Sequence, residues 1–376
     1  MTARRRLCFA TLIAPLLLGP ALAGCHRDAA PPPISAEAMA AVLPNADVPR
    51  EPLARAIDAV FTDPAAGETR ALVVMHNGRI IAERYGAGYG PQTRFIGWSM
   101  SKSVTGVLIG LLVADGRLRL DAPVPIPLWQ RPGDPRGEIT LRQLLQMRSG
   151  LAHVEEADPP YTADTPRMLF LDGRDDEAAY AESQPLEADP GKHWEYSTGT
   201  SVILADVAAR VLAPAGGAAA RRQAVADYLK ARLFAPVGLG SMVAEYDAAG
   251  TLEGGSMIHA TARDWARFGE FLRNGGSVGG AQIVPREWIR FMVSPAPHNG
   301  GYGGQIWLNR PQPDGHEELF PAQGPASLFS CIGHLGQYVM VSPAQHLTVV
   351  RLGKTDNAAR GHLVARLADV VGLFGR

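Results

Sequence analysis

The chain reads as an α+β protein, an antiparallel sheet flanked by helices with a mostly helical lobe inserted between its strands. Three observations predict this. Runs rich in Val, Ile and Leu and of strand length lie toward both ends, at 71–75 and 79–85 and again at 338–341 and 347–352. The middle, roughly 105–290, instead carries apolar residues at helical spacing. The chain then closes on Leu363, Val364, Leu367, Val370, Val371 and Phe374, which form one stripe of one helix. The two ends are therefore expected to share one sheet.

The first segment reads as an export signal. Arg4-Arg5-Arg6 precede an apolar run over 7–18 that is short and broken by Pro15, unsuited to span a membrane as a mature helix. Leu22-Ala23-Gly24-Cys25 resembles the lipobox of bacterial lipoproteins, which implies cleavage before Cys25 and lipidation of its sulfur. A plain secretory signal cut near Ala23 is the alternative. The expected organisation is a signal peptide at 1–24, a tether and stiff spacer at 25–49 containing Pro31-Pro32-Pro33, and one domain at 50–376. This places the protein on the periplasmic face of a bacterial membrane (the outer one, if the cell is Gram-negative), with the lipid anchor as its membrane contact.

With Cys8 in the signal and Cys25 as the anchor, Cys331 is the remaining thiol, so the domain is expected to hold no disulfide. Cys331 sits among apolar neighbours and reads as buried and structural. Removal of the three arginines takes the formal charge from −1 to −4, and no basic run is present, which argues against nucleic-acid binding.

Within the domain, an amphipathic helix is expected from Arg50 to Phe61. A hairpin follows, turned by His76-Asn77-Gly78, with His76 in the turn as a surface residue. A helix runs from the Ser99 region to about Asp115-Gly116, and a short one covers 141–147. From 151 to 190 the sequence is polar, punctuated by proline and poorly periodic, which predicts a long functional loop, with Tyr161 a candidate for substrate contact. Helices are then expected from Val202 to Val211 and over 218–234, 262–272 and 286–292, before the terminal strands.

The chemistry centres on Trp98-Ser99-Met100-Ser101-Lys102. Ser99 and Lys102 are three apart, so at a helix start they share a face. A neutral lysine amine can take the serine proton, and desolvation beside Trp98 and Met100 favours the neutral amine. The bland reading is a serine cap followed by a solvated lysine. Against it, the chain has only four lysines, and arginine could not serve as a base.

Partner motifs decide the matter. Ser99-Met100-Ser101-Lys102, Tyr196-Ser197-Thr198 and Gly333-His334-Leu335-Gly336-Gln337 follow in order. With these, the chain resembles the serine β-lactamase and penicillin-binding-protein family, in the branch of class C β-lactamases, esterases of that fold and 6-aminohexanoate-dimer hydrolases. The resemblance covers about 69–352 and implies a β-lactamase/transpeptidase-like fold. It implies Ser99 as nucleophile, with Lys102 and Tyr196 as the groups that move its proton. It also implies that His334-Leu335-Gly336 replaces Lys-Thr-Gly on the cleft strand, and that the amides of Ser99 and Gln337 form the oxyanion hole.

Two departures shape the substrate expectation. Thr198 stands where many relatives have asparagine, and His334 stands where a lysine attracts a substrate carboxylate. Both favour carboxylic esters or small amides over β-lactams. The alternatives are a peptidoglycan D-Ala carboxypeptidase or weak β-lactamase, or a non-catalytic binding lipoprotein of the same fold. Lys354-Thr355 reads as a solvated turn, because Asp356 stands where a glycine is needed. Gly275-Gly276-Ser277-Val278-Gly279 fits a nucleophile-elbow formula but follows a helix, so it is set aside. No metal motif and no nucleotide loop are present, and no cofactor is expected.

Overall fold

A computed structural model describes residues 33–375 except 45, 314 and 316. The signal, Cys25 and the proline run up to Pro32 lie outside the described residues. The folded unit begins at Ile34, earlier than the expected Arg50. Helix α1 (Ala36–Ala41) opens it, capped by Ser35, whose hydroxyl and amide both bond Asp58 in α2 (Arg50–Thr62). Part of the expected spacer is thus packed structure, anchored by buried Ala38, Ala41 and Val42.

Strands β1 (Glu68–His76) and β2 (Arg79–Tyr85) form the expected hairpin, with Asn77 and Gly78 both at positive φ (52° and 77°) in the turn. Strand β3 (Arg94–Ile96) leads into α3 (Ser101–Ala114). The helical lobe follows with α4 (Leu141–Leu145), α5 (Asp164–Phe170), α6 (Glu177–Glu182), α7 (Thr198–Leu212), α8 (Ala218–Leu229) and the short α9 (Ala235–Val237). Strands β4 (Val243–Ala244) and β5 (Ile258–Thr261) pair with β3 in a small sheet. Then come α10 (Ala262–Arg273), the hairpin β6 (Ser277–Val278) and β7 (Ala281–Gln282), and α11 (Arg286–Met292). Strands β8 (Trp307–Leu308), β9 (Phe329–Gly333), β10 (Gln337–Ser342), β11 (Leu347–Lys354) and helix α12 (Arg360–Gly372) complete the chain.

The main sheet is antiparallel, in the order β2-β1-β11-β10-β9-β8, so the two ends of the chain do share it. Alternation sorts its side chains into two cores. Leu72, Val74, Tyr338, Met340 and Val349 face α2 and α12, while Val73, Val339, Val341, Val350 and Cys331 face the larger core toward the helical lobe. Helix α10 lies on that second face, where a Cβ on Gly269 would meet Val339 and Thr348 side chains at 2.7 and 2.6 Å. It therefore covers the sheet, and the inserted lobe is not one uninterrupted block to residue 290. Helix α3 is buried all round from Ser101 to Leu112, as its apolar sequence demands.

The segment 151–190 is more ordered than its sequence suggests, because α5 and α6 lie within it. Thr355 is not solvated. It is buried, donates to Ala66 O and accepts from Arg351 Nη2. Cys331 is buried, and burial pushes its thiol up to about 12.

Candidate active site

Strand β3 delivers the serine. Arg94, Phe95 and Ile96 pair with β5, and the Gly97 amide donates to Ile258 O at 2.8 Å. Trp98 then takes a positive φ of 47°, a strained choice for a bulky residue. A single 3₁₀ turn carries Ser99 into α3, and the Ser101 hydroxyl accepts the Ile258 amide at 3.0 Å, locking the helix start to the small sheet.

One turn on, Lys102 is buried, with 1% of its surface exposed. Its Nζ donates to Ser99 Oγ at 2.9 Å, Thr198 Oγ1 at 2.7 Å and Gly255 O at 2.9 Å. Burial lowers its pKa to about 8, with the charge of Glu155 pulling the other way. Tyr196 precedes α7, with its ring stacked on Trp307 (centroids 5.3 Å apart) and 4.9 Å from Lys102 Nζ. Burial, and then Glu155, raise the Tyr196 phenol well above its usual value, and a hydrogen bond with Ser99 only partly offsets this. The phenol therefore keeps its proton at neutral pH.

The sequence marked Thr198 only as a departure within the second motif, and it did not mark Glu155 at all. Thr198, the first residue of α7, is buried and donates its hydroxyl proton to Glu155 Oε1 at 2.6 Å. Glu155 Oε2 in turn accepts the Thr198 amide at 2.8 Å, and His153 Nε2 and Thr165 Oγ1 lie at 2.8 and 2.9 Å. Burial alone would raise this carboxyl, but the His153 hydrogen bond and the Lys102 charge outweigh it and hold it at about 2. Glu155 lies in the aperiodic 151–163 stretch, where no local pattern marks it.

Ser99, Tyr196 and His334 all face one cavity of about 930 Å³. Trp98, Trp194, Trp307, Leu169, Phe170 and Phe320 supply its apolar wall, and Glu155, Glu156, Glu317, Glu318 and Arg360 its charge. His334 sits at the mouth, half exposed, with its ring edge-on to Trp98 at 5.5 Å and its Nδ1 3.8 Å from Glu156.

Gly336 and Gln337 fall elsewhere. The hairpin between β9 and β10 closes with Gln337 paired to Gly333, and the Gln337 side chain is bound to Gly353 and to the carbonyls of His334 and Leu335. Neither residue lines the cavity. Gly336 is a turn glycine (φ 77°) turned toward Leu363 and Arg351. The sequence placed the end of the strand three residues too late, because it read His334-Leu335-Gly336 as strand where the chain makes its turn. Within this hairpin it is Gly333 that closely approaches the serine segment, where an added Cβ would lie 2.2 Å from Gly97 O. Tyr161 is 65% exposed and also lies outside the cavity lining, whereas Thr165, Pro166, Leu169 and Phe170 of the same segment line it. Elsewhere, Glu187, His193 and Glu195 place ligand-type atoms within 4.8 Å of one another, on exposed or half-exposed side chains outside the cavity lining.

The family model described as Beta-lactamase matches residues 57–372. The chain belongs to the beta-lactamase family. The 6-aminohexanoate-dimer hydrolase of Paenarthrobacter ureafaciens is 27% identical over 259 residues, which span 65% of this chain and 64% of that protein. Among solved structures, a Bacillus anthracis protein assigned as a 6-aminohexanoate-dimer hydrolase superposes with a TM-score of 0.66 at 22% identity, over 85% of this chain and 83% of that one. A family VIII carboxylesterase gives 0.62 at 18% (85% and 96% covered), and a penicillin-binding-protein homologue from Caulobacter crescentus 0.60 at 17% (86% and 96%). These neighbours show the same fold. The beta-lactamase-family assignment makes this chain one of a family of hydrolases, and its site departs from the lactamase pattern at Thr198 and His334.

Proposed function

We propose that the protein is a serine hydrolase that cleaves carboxylic esters or small amides through an acyl-enzyme on Ser99. The observation that carries this reading is the buried Lys102 amine 2.9 Å from the Oγ of Ser99, which lines the cavity. With its pKa lowered to about 8, a useful fraction of Lys102 is neutral at pH 7 and can take the serine proton as the hydroxyl attacks. Tyr196 keeps its proton and passes it to the leaving group, then recovers one from Lys102. The same pair activates the water that releases the acyl group. The Ser99 amide and the β9 end at Gly333–His334, which lines the cavity where Gln337 does not, serve the oxyanion.

Charge favours esters and small amides over carboxylate-bearing β-lactams or peptidoglycan stems. Four carboxylates line the cavity, and Arg360, its guanidinium, is held by Glu318 at 2.5 Å. The arginine run at 4–6 and the lipobox-like Leu22-Ala23-Gly24-Cys25 are what support reading it as a lipid-anchored, periplasmic enzyme, with Cys25 outside the described residues; no described helix is long and apolar enough to cross a membrane.

The test is hydrolysis of p-nitrophenyl acetate and butyrate, with a chromogenic cephalosporin alongside, by the parent and by Ser99→Ala. Ester turnover lost in the variant, with little cephalosporin cleavage, is the expected result. Dominant cephalosporin cleavage would move the reading to a lactamase. Identical behaviour of parent and variant would leave a binding protein of this fold.

A further inference from the structure

Resting on that reading, we infer that Glu155, acting through Thr198, is the positioning residue that aims the lone pair of neutral Lys102 at Ser99. The argument is one of donor and acceptor capacity. An ionised carboxylate only accepts. Thr198 has a single hydroxyl proton, and at 2.6 Å that proton is committed to Glu155 Oε1. Toward Lys102, at 2.7 Å, Thr198 Oγ1 can therefore only accept. Gly255 O, at 2.9 Å, is a carbonyl and likewise only accepts.

Neutral Lys102 has two N–H bonds and one lone pair. Its two acceptor-only partners take both N–H bonds. Among the described residues Ser99 is the one remaining partner, and the one able to donate, so the lone pair faces the Ser99 hydroxyl. Tyr196, which keeps its proton and hydrogen-bonds Ser99, can in turn donate to Ser99 Oγ. All bonds then run one way, from Tyr196 through Ser99, Lys102 and Thr198 to Glu155, the arrangement in which successive hydrogen bonds reinforce one another.

The step balances. The Ser99 Oγ–H bond breaks as the Oγ–C bond to the substrate carbonyl forms, the proton goes to Lys102 Nζ, and the carbonyl π pair goes to the oxygen. The resulting ammonium has three N–H bonds for three partners, so no reorganisation is needed to satisfy it. Glu155 is unsuited to take the proton itself. A carboxylate this strongly stabilised is too weak a base near neutral pH.

The groups facing Lys102 are few. Ser99 comes from its own segment, Tyr196 and Thr198 from the start of α7, and Glu155 from the 151–163 stretch with His153 behind it. The turn before β5 offers the Gly255 carbonyl. His334 and Glu156 stand at the cavity mouth.

The experiment is the p-nitrophenol burst from p-nitrophenyl butyrate, measured across pH about 6 to 10 with parent, Ser99→Ala, Thr198→Ser, Thr198→Val and Glu155→Gln. Thr198→Val keeps the branched shape but has no hydroxyl, and once a thermal melt shows it folded its acylation rate is expected to fall about 100-fold at neutral pH. Thr198→Ser restores the hydroxyl and should stay within about threefold of the parent. Glu155→Gln should lower the plateau and move the acid limb to lower pH, because the carboxylate no longer holds the proton on Lys102. Thr198→Val acylating like the parent with an unchanged pH profile would overturn the inference while leaving Ser99 as nucleophile. A burst that survives in Ser99→Ala would overturn the proposed function and the inference with it.

Discussion

Gly333 at the end of β9 approaches Gly97, two residues before the serine, so closely that a Cβ on Gly333 would lie 2.2 Å from the Gly97 carbonyl oxygen. The contact joins two motifs that are 236 positions apart in the chain (333 − 97). It sets how near the end of β9 comes to Ser99, and it leaves no room for a methyl group.

Gly333→Ala is therefore expected to push β9 away from the serine segment. A displacement of about 1 Å at reacting groups can reduce turnover by about 100-fold. Ester kcat should fall by about that factor, with a smaller effect on KM. Gly336→Ala serves as the contrast, since its φ of 77° and its closeness to Leu363 and Arg351 should lower Tm while any surviving folded enzyme stays active. Kinetics and thermal melts on both variants check this, and a fully active Gly333→Ala would refute the close-approach argument.

On the proposed mechanism, Lys102 sets the acid limb of the rate profile. Its folded pKa lies below that of a free lysine, at about 8, so the neutral amine is lost as the pH falls through that value. The value of kcat/KM should rise about tenfold per pH unit up to roughly pH 8 and level above it. Lys102→Arg keeps the positive charge but cannot release its proton, so acylation should fall by about 10³-fold on the plateau above pH about 8 and the acid limb should disappear. A flat profile from pH about 6 to 9, or an active Lys102→Arg, would remove Lys102 as the base.

Much of the scaffold was legible because periodicity reports burial. The strand-length runs of β-favouring residues in β1, β10 and β11, buried on both faces, gave the sheet, and the all-apolar run after Lys102 gave the central helix. Ser99, Lys102 and Tyr196 were legible because local spacing and order carry them. Glu155 was not, since its partners Lys102, Thr198 and Thr165 are brought to it by tertiary folding. The error at Gly336 and Gln337 has a local cause. Residues 333–337 contain two glycines, and which of them ends the strand depends on the pairing of β9 with β10, not on composition. Helix α1 was hidden by the polar, proline-rich sequence around it, although the Ser35 to Asp58 bonds fasten it to α2.

Glu177 gives a stability prediction. Its side chain is buried with Oε2 unpartnered among the described residues, and burial, followed by the charges of Glu253 and Asp247, raises its pKa to about 9. For a carboxyl with a raised folded pKa, the unfolded chain binds fewer protons between the two pKa values. Stability therefore falls as pH rises from about 4.5 toward 9. Glu177→Gln matches the protonated form, so it should melt with the parent near the acid end and above it by roughly 3 °C or more at pH about 8. Thermal unfolding at the two pH values is the measurement. An equal shift at both would mean that the gain is packing and not proton linkage.

Charge selection by the cavity is testable through Glu156. This residue is well exposed at the mouth, where its Oε2 accepts from Asn357 Nδ2 at 3.0 Å and its Oε1 faces His334. It stands on the side of the cleft where the resemblance would place a substrate carboxylate, and the imidazole of His334 faces it where relatives carry a lysine. A p-nitrophenyl ester with a terminal carboxylate should therefore be a poorer substrate than its neutral counterpart, and one with a terminal ammonium should be the best of the three. At a few ångströms in partly solvated surroundings, one unit charge contributes on the order of 1 kcal/mol. Glu156→Gln should thus narrow the neutral-to-anionic ratio of kcat/KM by about fivefold, and Glu156→Lys should narrow it further. The effect should shrink in high salt, because the group is exposed. Steady-state kinetics with the three esters at two ionic strengths decide it. Equal ratios in all three proteins would show that the apolar wall of Trp98, Trp194 and Trp307, and not charge at the mouth, selects the substrate.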